Sequence, residues 1–269
     1  MPPAASIVIP VHNALQYTTL CVESIERNTP EVHEIVLVDN ASTDGTAEWF
    51  TERGEGALIR NSTNRGFAGA VNAGMSVAEG DVVVILNNDT LVTPGWLTAL
   101  IAALDRDPAI GITAPMSNYV TGGQIVYPVP YGRAPNDGID AFGVDRARAF
   151  GGMGFGVERL AGLCMAISRR VIDTIGGFDP AFAIGNFEDD DYSIRARLAG
   201  FRLWVCQDSY IHHFGSRTFD ILPDDYDALL LENSLRFAAK WELPPGVGVK
   251  STEPTRPFDP ARDVIPLAA

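Results

Sequence analysis

The sequence predicts an α/β fold with a mainly parallel, Rossmann-like central sheet flanked by helices, and a smaller, less regular subregion. Three observations lead to this prediction. Short, near-continuous apolar runs alternate with helical patterns of about 12 residues, which is typical of parallel strands covered on both faces. Polar residues stand directly after these apolar runs. The alternation stops near Pro115 and gives way to a stretch rich in Gly, Pro, Tyr and Asn.

The first 115 residues contain four apolar, β-branched runs that we expect to be buried strands. These runs are 6–11, 34–39, 57–61 and 81–86. Helical patterns with capping residues or glycines at their ends come after each run. These patterns are 14–28, 41–50, 66–80 and 94–108.

The second part of the chain is less periodic. Residues 116–158 predict long loops with one or two short strands. Later segments predict a strand leading into a helix, a second helix, a strand pair and a final helix. They are 162–179, 187–201, 202–214 and 226–241. We expect one domain over 1–243 and a Pro-rich tail over 244–269 that is extended or partly disordered.

Composition excludes some classes of partner. The 269 residues include 20 Lys and Arg against 34 Asp and Glu, a formal net charge of -14. Such a charge argues against nucleic acid, and against an anionic membrane surface bound by bulk electrostatics. An anionic ligand would need local help from a metal ion or from helix N-termini.

Three cysteines bear on the cellular compartment. Cys21, Cys164 and Cys206 lie far apart in apolar surroundings, which predicts buried free thiols and a reducing, cytoplasmic location. The N-terminal segment lacks the basic region of a signal peptide, and no window approaches the length of a transmembrane helix. Peripheral attachment at the inner membrane surface is left open.

Polar residues cluster where the first, second and fourth strands end. His12 and Asn13 come after the first run, the segment Asp39–Gly45 ends the second, and the segment Asn87–Asp89 ends the fourth. Because ligands of parallel α/β sheets bind at the carboxyl ends of strands, these residues predict a binding site. Asp39 can accept hydrogen bonds from a base or ribose, or it can form an Asx-turn that caps a helix.

Two acidic segments allow metal and proton-transfer chemistry. In the triplet Asn87–Asp89, Asp89 can supply the carboxylate that Mg²⁺ or Mn²⁺ takes beside substrate phosphates, although a plain turn explains the triplet equally well. The run Glu188–Asp191 opens a predicted helix, where the helix dipole keeps a carboxylate ionised and able to act as a base. The alternative is an acidic first turn without chemistry, and Asp191 and Arg195 are spaced as an i,i+4 ion pair.

Two adjacent histidines end a predicted strand. His212 and His213 alternate in direction, so that Tyr210 and His212 share one face and His213 points to the other. One imidazole can therefore complete a metal site with Asp89, while a satisfied core histidine is the alternative.

These segments occur in an order that resembles the family 2 glycosyltransferases with the GT-A fold, in particular rhamnosyltransferase-like members. The matching pieces span residues 5–220 and are SIVIPVHN, IVLVDNASTDGT, NRGFAGAVNAG, VVILNNDT, GLCMAISRRVIDTIGGFDPAF, EDDDYSIRARLAG and HHFGS. The resemblance implies a nucleotide-sugar-binding half over 5–115 and an acceptor and catalytic half over 116–243.

The resemblance also implies roles for individual residues. Asp189 matches the catalytic base, Glu188 supports it or touches the acceptor, and Asp89 matches the metal-binding carboxylate. Asn87 stands where many relatives carry Asp. His212 or His213 matches a histidine facing metal or phosphate, and the spacing to Gly215 favours His212. The residues expected at the nucleotide are Pro10, His12, Asp39, Asn40, Asn64, Arg65, Gly66, Asn72, Asn87 and Asn88.

The same resemblance implies an activity. We expect transfer of a sugar, with inversion, from a UDP- or dTDP-linked donor to an acceptor hydroxyl, aided by Mn²⁺ or Mg²⁺. The acceptor is left open among a glycan, a lipid-linked sugar, a natural product and a peptide, and so is a homodimer. The alternatives are a sugar nucleotidyltransferase and a non-catalytic sugar-nucleotide-binding protein of the same fold.

Overall fold

A computed structural model describes residues 4–132, 138–215, 226–243 and 256–267. Its strands are β1 Ala5–Val11, β2 His33–Asp39, β3 Ala57–Arg60, β4 Val82–Leu86, β5 Thr90–Val92, β6 Ile110–Ser117, β7 Gly154–Val157, β8 Cys164–Ser168 and β9 Arg202–His213. Its helices are α1 Leu15–Asn28, α2 Thr46–Arg53, α3 Gly66–Val77, α4 Trp96–Arg106, α5 Ile139–Phe150, α6 Arg169–Ile175, α7 Glu188–Leu198, α8 Tyr226–Lys240 and α9 Pro260–Asp263.

The strands join in one sheet, in the order β3-β2-β1-β4-β8-β6-β9-β5, and β7 also pairs with β9. The predicted α/β class is confirmed. Strands β1 to β4 pair in parallel, as do β6 and β9, whereas β8, β5 and β7 pair antiparallel to their neighbours. The parallel part therefore brings the ends of β1, β2 and β4 to one edge.

Apolar side chains of the central strands are buried on both faces, as the near-continuous runs predict, whereas those of the edge strand β3 are half-buried or exposed. In β1, Ile7 and Ile9 pack into one hydrophobic cluster with α1 and α4, while Val8 packs into another with α3 and α6. The predicted buried thiols are also confirmed, since all three cysteines are buried and free. Burial raises the pKa of the Cys21 thiol to about 12.

The second part of the chain differs from expectation in three places. The region expected to hold only loops and short strands contains the 12-residue helix α5, whose Gly143 leaves no room for a Cβ beside Thr93. The predicted strand pair at 202–214 is a single long strand, β9, because it continues through a register shift opposite Pro115 and Met116.

The third difference lies in the tail. Residues 244–255 lie outside the described part of the chain, but 256–267 pack against the body of the protein. Ile265 forms a β-bridge with Gly176, and Arg256 pairs with the fully buried Asp263 at 2.7 Å. Among the described helices, none has the length and apolar character needed to cross a membrane.

Candidate functional site

A cavity lies at the carboxyl ends of β1, β2 and β4, and seven of the ten residues predicted to contact a nucleotide line it. Those seven are Pro10, His12, Asn40, Asn64, Gly66, Asn87 and Asn88. Val11, Phe67 and Ile184 complete the lining. The strand ends thus bring together predicted residues as distant in the chain as Pro10 and Asn88, which are 78 positions apart.

Asn40 organises one wall of the cavity through its buried amide. Its Nδ2 donates to Oδ1 of Asn64 at 2.7 Å, and its Oδ1 accepts from Asn61 Nδ2 at 3.0 Å and from the backbone N–H of Arg65 at 2.9 Å. Asn64 Oδ1 in turn accepts from the Gly66 N–H at 2.9 Å. The amide of Asn40 is therefore used to shape the turn that precedes α3.

Gly66 begins α3 at this wall. Its φ is +72°, and a Cβ at this position would lie 1.9 Å from the carbonyl oxygen of Ala183. No residue with a side chain fits there without moving the backbone. The arrangement exposes the N-terminus of α3 to the cavity, with the exposed side chain of Arg65 beside it, and both favour an anion.

His12 has a defined tautomer in its neutral form. Its Nδ1 lies 2.9 Å from the carbonyl oxygen of Asn40, which can only accept, so Nδ1 carries the hydrogen. The other ring nitrogen, Nε2, is then an acceptor on a residue that lines the cavity.

Asp39, Arg65 and Asn72, which were also predicted at the nucleotide, lie outside the lining. Asp39 is only 2% exposed and its Oδ1 accepts the Ser42 N–H at 3.0 Å, so its carboxylate holds the turn after β2 and does not cap α2, which begins at Thr46. Asn72 lies farther along α3, where its amide donates to the Phe178 carbonyl at 2.7 Å and accepts the Phe178 N–H at 2.7 Å. Asn72 is thus committed to holding the chain after α6, contrary to the expected nucleotide contact.

The Asn87–Asp89 triplet leaves β4 toward the cavity. Asn88 is buried and donates from Nδ2 to Thr18 Oγ1 at 2.9 Å, while the Asn87 N–H donates to the Leu163 carbonyl at 2.9 Å. These contacts fix the triplet against α1 and against the chain before β8. Asp89 comes next, 3% exposed, and its side chain meets β9.

Asp89 faces His213. His213 Nε2 lies 3.1 Å from Asp89 Oδ1, and His213 Nδ1 lies 2.8 Å from the carbonyl oxygen of Tyr119. Since the carbonyl fixes the hydrogen of a neutral ring on Nδ1, Nε2 then turns a lone pair toward the carboxylate. With a neutral ring, the two acceptors His213 Nε2 and Asp89 Oδ1 therefore face each other. A proton on Nε2, or a cation bound by both atoms, would make this contact favourable.

The pKa of His213 agrees with this geometry. Burial lowers the pKa, but the hydrogen bond and charge of Asp89, with the Tyr119 carbonyl, outweigh burial and raise it above its usual value. The donor set of one carboxylate and one imidazole suits Mn²⁺ or Mg²⁺ when substrate phosphates and water supply the other ligands. Among the described residues, no group of three or more His, Cys, Asp or Glu is placed to hold a metal.

His212 points away from Asp89, so the preference for it drawn from the spacing to Gly215 is corrected. Its Nδ1 lies 3.0 Å from the hydroxyl of Tyr131, which also contacts the hydroxyl of Tyr210. Burial, followed by the neighbouring His213, lowers the pKa of His212 to about 4. The expected alternation of Tyr210 and His212 on one face and His213 on the other is confirmed.

Asp189 lies in the first turn of α7. Its Oδ2 accepts the Gly162 N–H at 2.9 Å, and its Oδ1 accepts the Asp190 N–H at 2.9 Å. Two backbone donors therefore fix the orientation of the carboxylate. A Cβ on Gly162 would lie 3.3 Å from the Asp189 Cβ and 3.7 Å from the ring of Phe67, so Asp189 lies near the Phe67 wall of the cavity without lining it.

Glu188 occupies a different environment. It is 7% exposed, and its buried Oε2 has no hydrogen-bond partner among the described residues. Burial first, and the charge of Asp189 second, raise the pKa of Glu188 well above its usual value. Burial therefore disfavours the charged form of Glu188.

Some site residues could not be predicted from the sequence. Ile184 and Tyr119 lie in irregular segments and carry no motif, so no signal marked them. Phe67 stands inside the matching piece NRGFAGAVNAG, where its place beside Gly66 and Arg65 was a usable signal.

Comparison with known proteins agrees with this geometry. The model of the family described as glycosyl transferase family 2 matches residues 6–150 of the 269-residue chain. The inactive polypeptide N-acetylgalactosaminyltransferase-like protein 5 of Macaca fascicularis is 29% identical over 232 residues, which are 80% of this chain and 52% of that protein. The chain thus spans about half the length of this curated relative.

Solved structures share the fold. The structure of GalNAc-T7 with UDP, GalNAc and Mn²⁺ matches with a TM-score of 0.68 and 21% identity, over 90% of this chain and 49% of that one. The mannosyltransferase PcManGT from Pyrobaculum calidifontis, in complex with GDP-Man and Mn²⁺, matches with a TM-score of 0.58 and 20% identity, over 97% and 78% of the two chains. With a GT-A-type fold, a cavity at the strand ends and a family model that covers more than half of its length, this chain belongs to glycosyl transferase family 2.

Proposed function

We propose that the protein is a metal-dependent, inverting glycosyltransferase that moves a sugar from a nucleoside diphosphate to an acceptor hydroxyl. The observation that carries the proposal is the pair of facing acceptors, Asp89 Oδ1 and His213 Nε2, at the same sheet edge as the cavity that lies near Asp189. The matching solved structures hold UDP or GDP-mannose with Mn²⁺, which supports a donor of this class.

The cavity residues bind and orient the donor. His12 Nε2 offers an acceptor to the base, and the N-terminus of α3 with Arg65 offers positive potential to the diphosphate. We favour uridine or thymidine diphosphate sugars. A cation held by Asp89 and His213 would supply charge neutralisation for the departing diphosphate.

Asp189 acts as the general base. It takes the proton of the acceptor hydroxyl as the acceptor oxygen forms its bond to the anomeric carbon and the bond from that carbon to the diphosphate oxygen breaks. Attack from the face opposite the nucleotide inverts the anomeric configuration. The two backbone N–H donors hold the carboxylate in place, while burial disfavours a charge on the neighbouring Glu188.

The test compares wild type with Asp189→Asn in the presence of Mn²⁺. With a panel of UDP-, dTDP- and GDP-sugars and hydroxyl acceptors drawn from glycans, lipid-linked sugars, natural products and peptides, we expect transfer to fall by about 10²–10⁴-fold. Donor affinity, measured by calorimetry, should stay within a factor of about three, because the cavity lining is untouched. NMR of the product reports the anomeric configuration.

A matched control is Asp173→Asn, which changes an exposed carboxylate of α6 outside the cavity lining. It should transfer at the wild-type rate. Near-normal transfer by Asp189→Asn would show that another group is the base. Donor binding without turnover by the wild type would instead support the non-catalytic alternative.

A further inference from the structure

The link between the donor cavity and α7 has an unusual backbone. Ala183, Gly185, Asn186 and Phe187 have φ values of 51°, 152°, 74° and 74°. Only one of these four residues is a glycine, and left-handed conformations of the other three are energetically costly. Something in the surrounding structure must hold residues 183–187 in this path.

Asn233 of α8 is the side chain that holds them. It is 0% exposed, and its Nδ2 donates to the carbonyl oxygens of Phe182 at 2.7 Å and Gly185 at 2.8 Å. A third, longer contact reaches the Asn186 carbonyl at 3.4 Å. One buried amide thus donates to the carbonyl just before the link and to two carbonyls within it. These acceptors lie 47 to 51 residues away in the chain.

The link touches the cavity on its other side. Ile184 lines the cavity, and its carbonyl oxygen accepts the Phe67 N–H at 3.2 Å. The carbonyl of Ala183 occupies the space that a Cβ on Gly66 would need. Any displacement of the link therefore changes the wall on which the nucleotide sugar would rest.

The same link ends at the base. Phe187 is the residue before α7, and Asp189 is the second residue of that helix. Five residues thus connect a wall of the cavity to the helix that carries the proposed base, Asp189. A change in their path would move both together.

We propose that Asn233 is a positioning residue of the transfer reaction, which sets the path of residues 183–187 and thereby the placement of Ile184 against the donor and of Asp189 against the acceptor. This inference rests on the proposed function, since it takes Asp189 as the base. Asn233 touches neither substrate in this scheme, and it acts through the link.

The experiment measures kcat and donor KM separately for wild type, Asn233→Ala and Asn233→Asp, well below the melting temperature of each. Aspartate keeps the shape of asparagine but replaces the donating amide with an acceptor that the carbonyls repel. We expect both variants to lose at least tenfold in kcat and to raise donor KM at least threefold. The control is Leu100→Ala in α4, a fully buried site outside the cavity lining, which should lower the melting temperature without changing either constant.

Hydrogen exchange on the wild type provides a readout that needs no variant. The Phe67 amide, which donates to Ile184 in the link, should be protected, and donor with Mn²⁺ should increase that protection. Wild-type kinetic constants in both Asn233 variants, or an unprotected Phe67 amide, would overturn the inference. If the wild type and Leu100→Ala turn over no donor at all, it is the proposed function that fails.

Discussion

The donor side and the base side of the site are built in different ways. On the donor side, polar residues come directly after their strands, and hydrogen bonds among Asn40, Asn61 and Asn64 shape the cavity wall. These three amides lie within 24 residues of one another. The donor side is therefore largely a local product of the strand-to-helix turns.

On the base side, support comes from distant parts of the chain. Asp191, two residues after the base, binds Arg195 at 2.8 Å, Lys240 at 2.7 Å and Trp241 Nε1 at 3.1 Å. Arg195 Nη1 reaches the carbonyl of Asp263 in the C-terminal segment at 3.4 Å. The proposed donor cavity can thus be encoded in short motifs, whereas the helix that carries the proposed base depends on contacts with α8 and the C-terminal segment.

The largest expected effect on ligand binding is on the donor side. Asp89→Asn should weaken Mn²⁺-dependent donor binding by about 100-fold, because it removes the carboxylate charge while keeping the side-chain shape. Calorimetry with and without Mn²⁺ measures the effect. His212→Ala is the matched control, since its ring faces Tyr131 and not Asp89; equal loss from this control would contradict the assignment of His213.

A second prediction distinguishes Asn64, which lines the cavity just before α3, from Asn72, which lies within α3. Asn72→Ala should lower the free energy of unfolding by about 1–3 kcal/mol, because it leaves the N–H and carbonyl of Phe178 without their hydrogen-bond partner. Donor affinity should not change. Asn64→Ala should reduce donor affinity and should lower the free energy of unfolding by less than Asn72→Ala does. Chemical denaturation and donor titration of both variants measure these two effects. Reduced donor affinity in Asn72→Ala would show that Asn72 contributes to donor binding.

A third effect is a pH dependence on the base side. Burial first, and the charge of Asp189 second, raise the pKa of Asp190 to about 7, although Arg159 Nε lies 2.8 Å away. Since the unfolded chain releases this proton near pH 4, the folded state holds more protons between about pH 4 and 7, and stability falls as pH rises through that window.

Asp190→Asn should remove about 2–3 kcal/mol of the decrease in unfolding free energy between about pH 5 and 8. Urea denaturation at a series of pH values measures it. An unchanged slope in the variant would show that Asp190 does not contribute to the pH dependence.

The donor side is predictable from the sequence because its signals are local. Apolar runs that end in His12, Asn40 and Asn88 require only strand geometry to converge at one sheet edge. Asp39 and Asn72 stand in the same motifs, yet their side chains are used by a turn and by Phe178, and spacing alone does not reveal this.

The base side is predictable only in part. The acidic run and its helix are visible in the sequence, but Asn233 and the packed segment 256–267 are not, because their contacts join positions that share no pattern. Helix α5 is hidden for a related reason: its buried residues are Ile139 and Gly143, and the glycine stands where a helical pattern would show a large apolar residue.

The doubled histidine has a consequence for how β9 tolerates changes in length. Pro115 pairs with Cys206 and Met116 with Tyr210, so β9 already accommodates extra residues at this point. A single-residue insertion that pushed the rest of the strand along by one position would bring His212 into the place of His213. An imidazole would still stand opposite Asp89, which makes this end of the sheet robust to the slips that accompany evolutionary insertions.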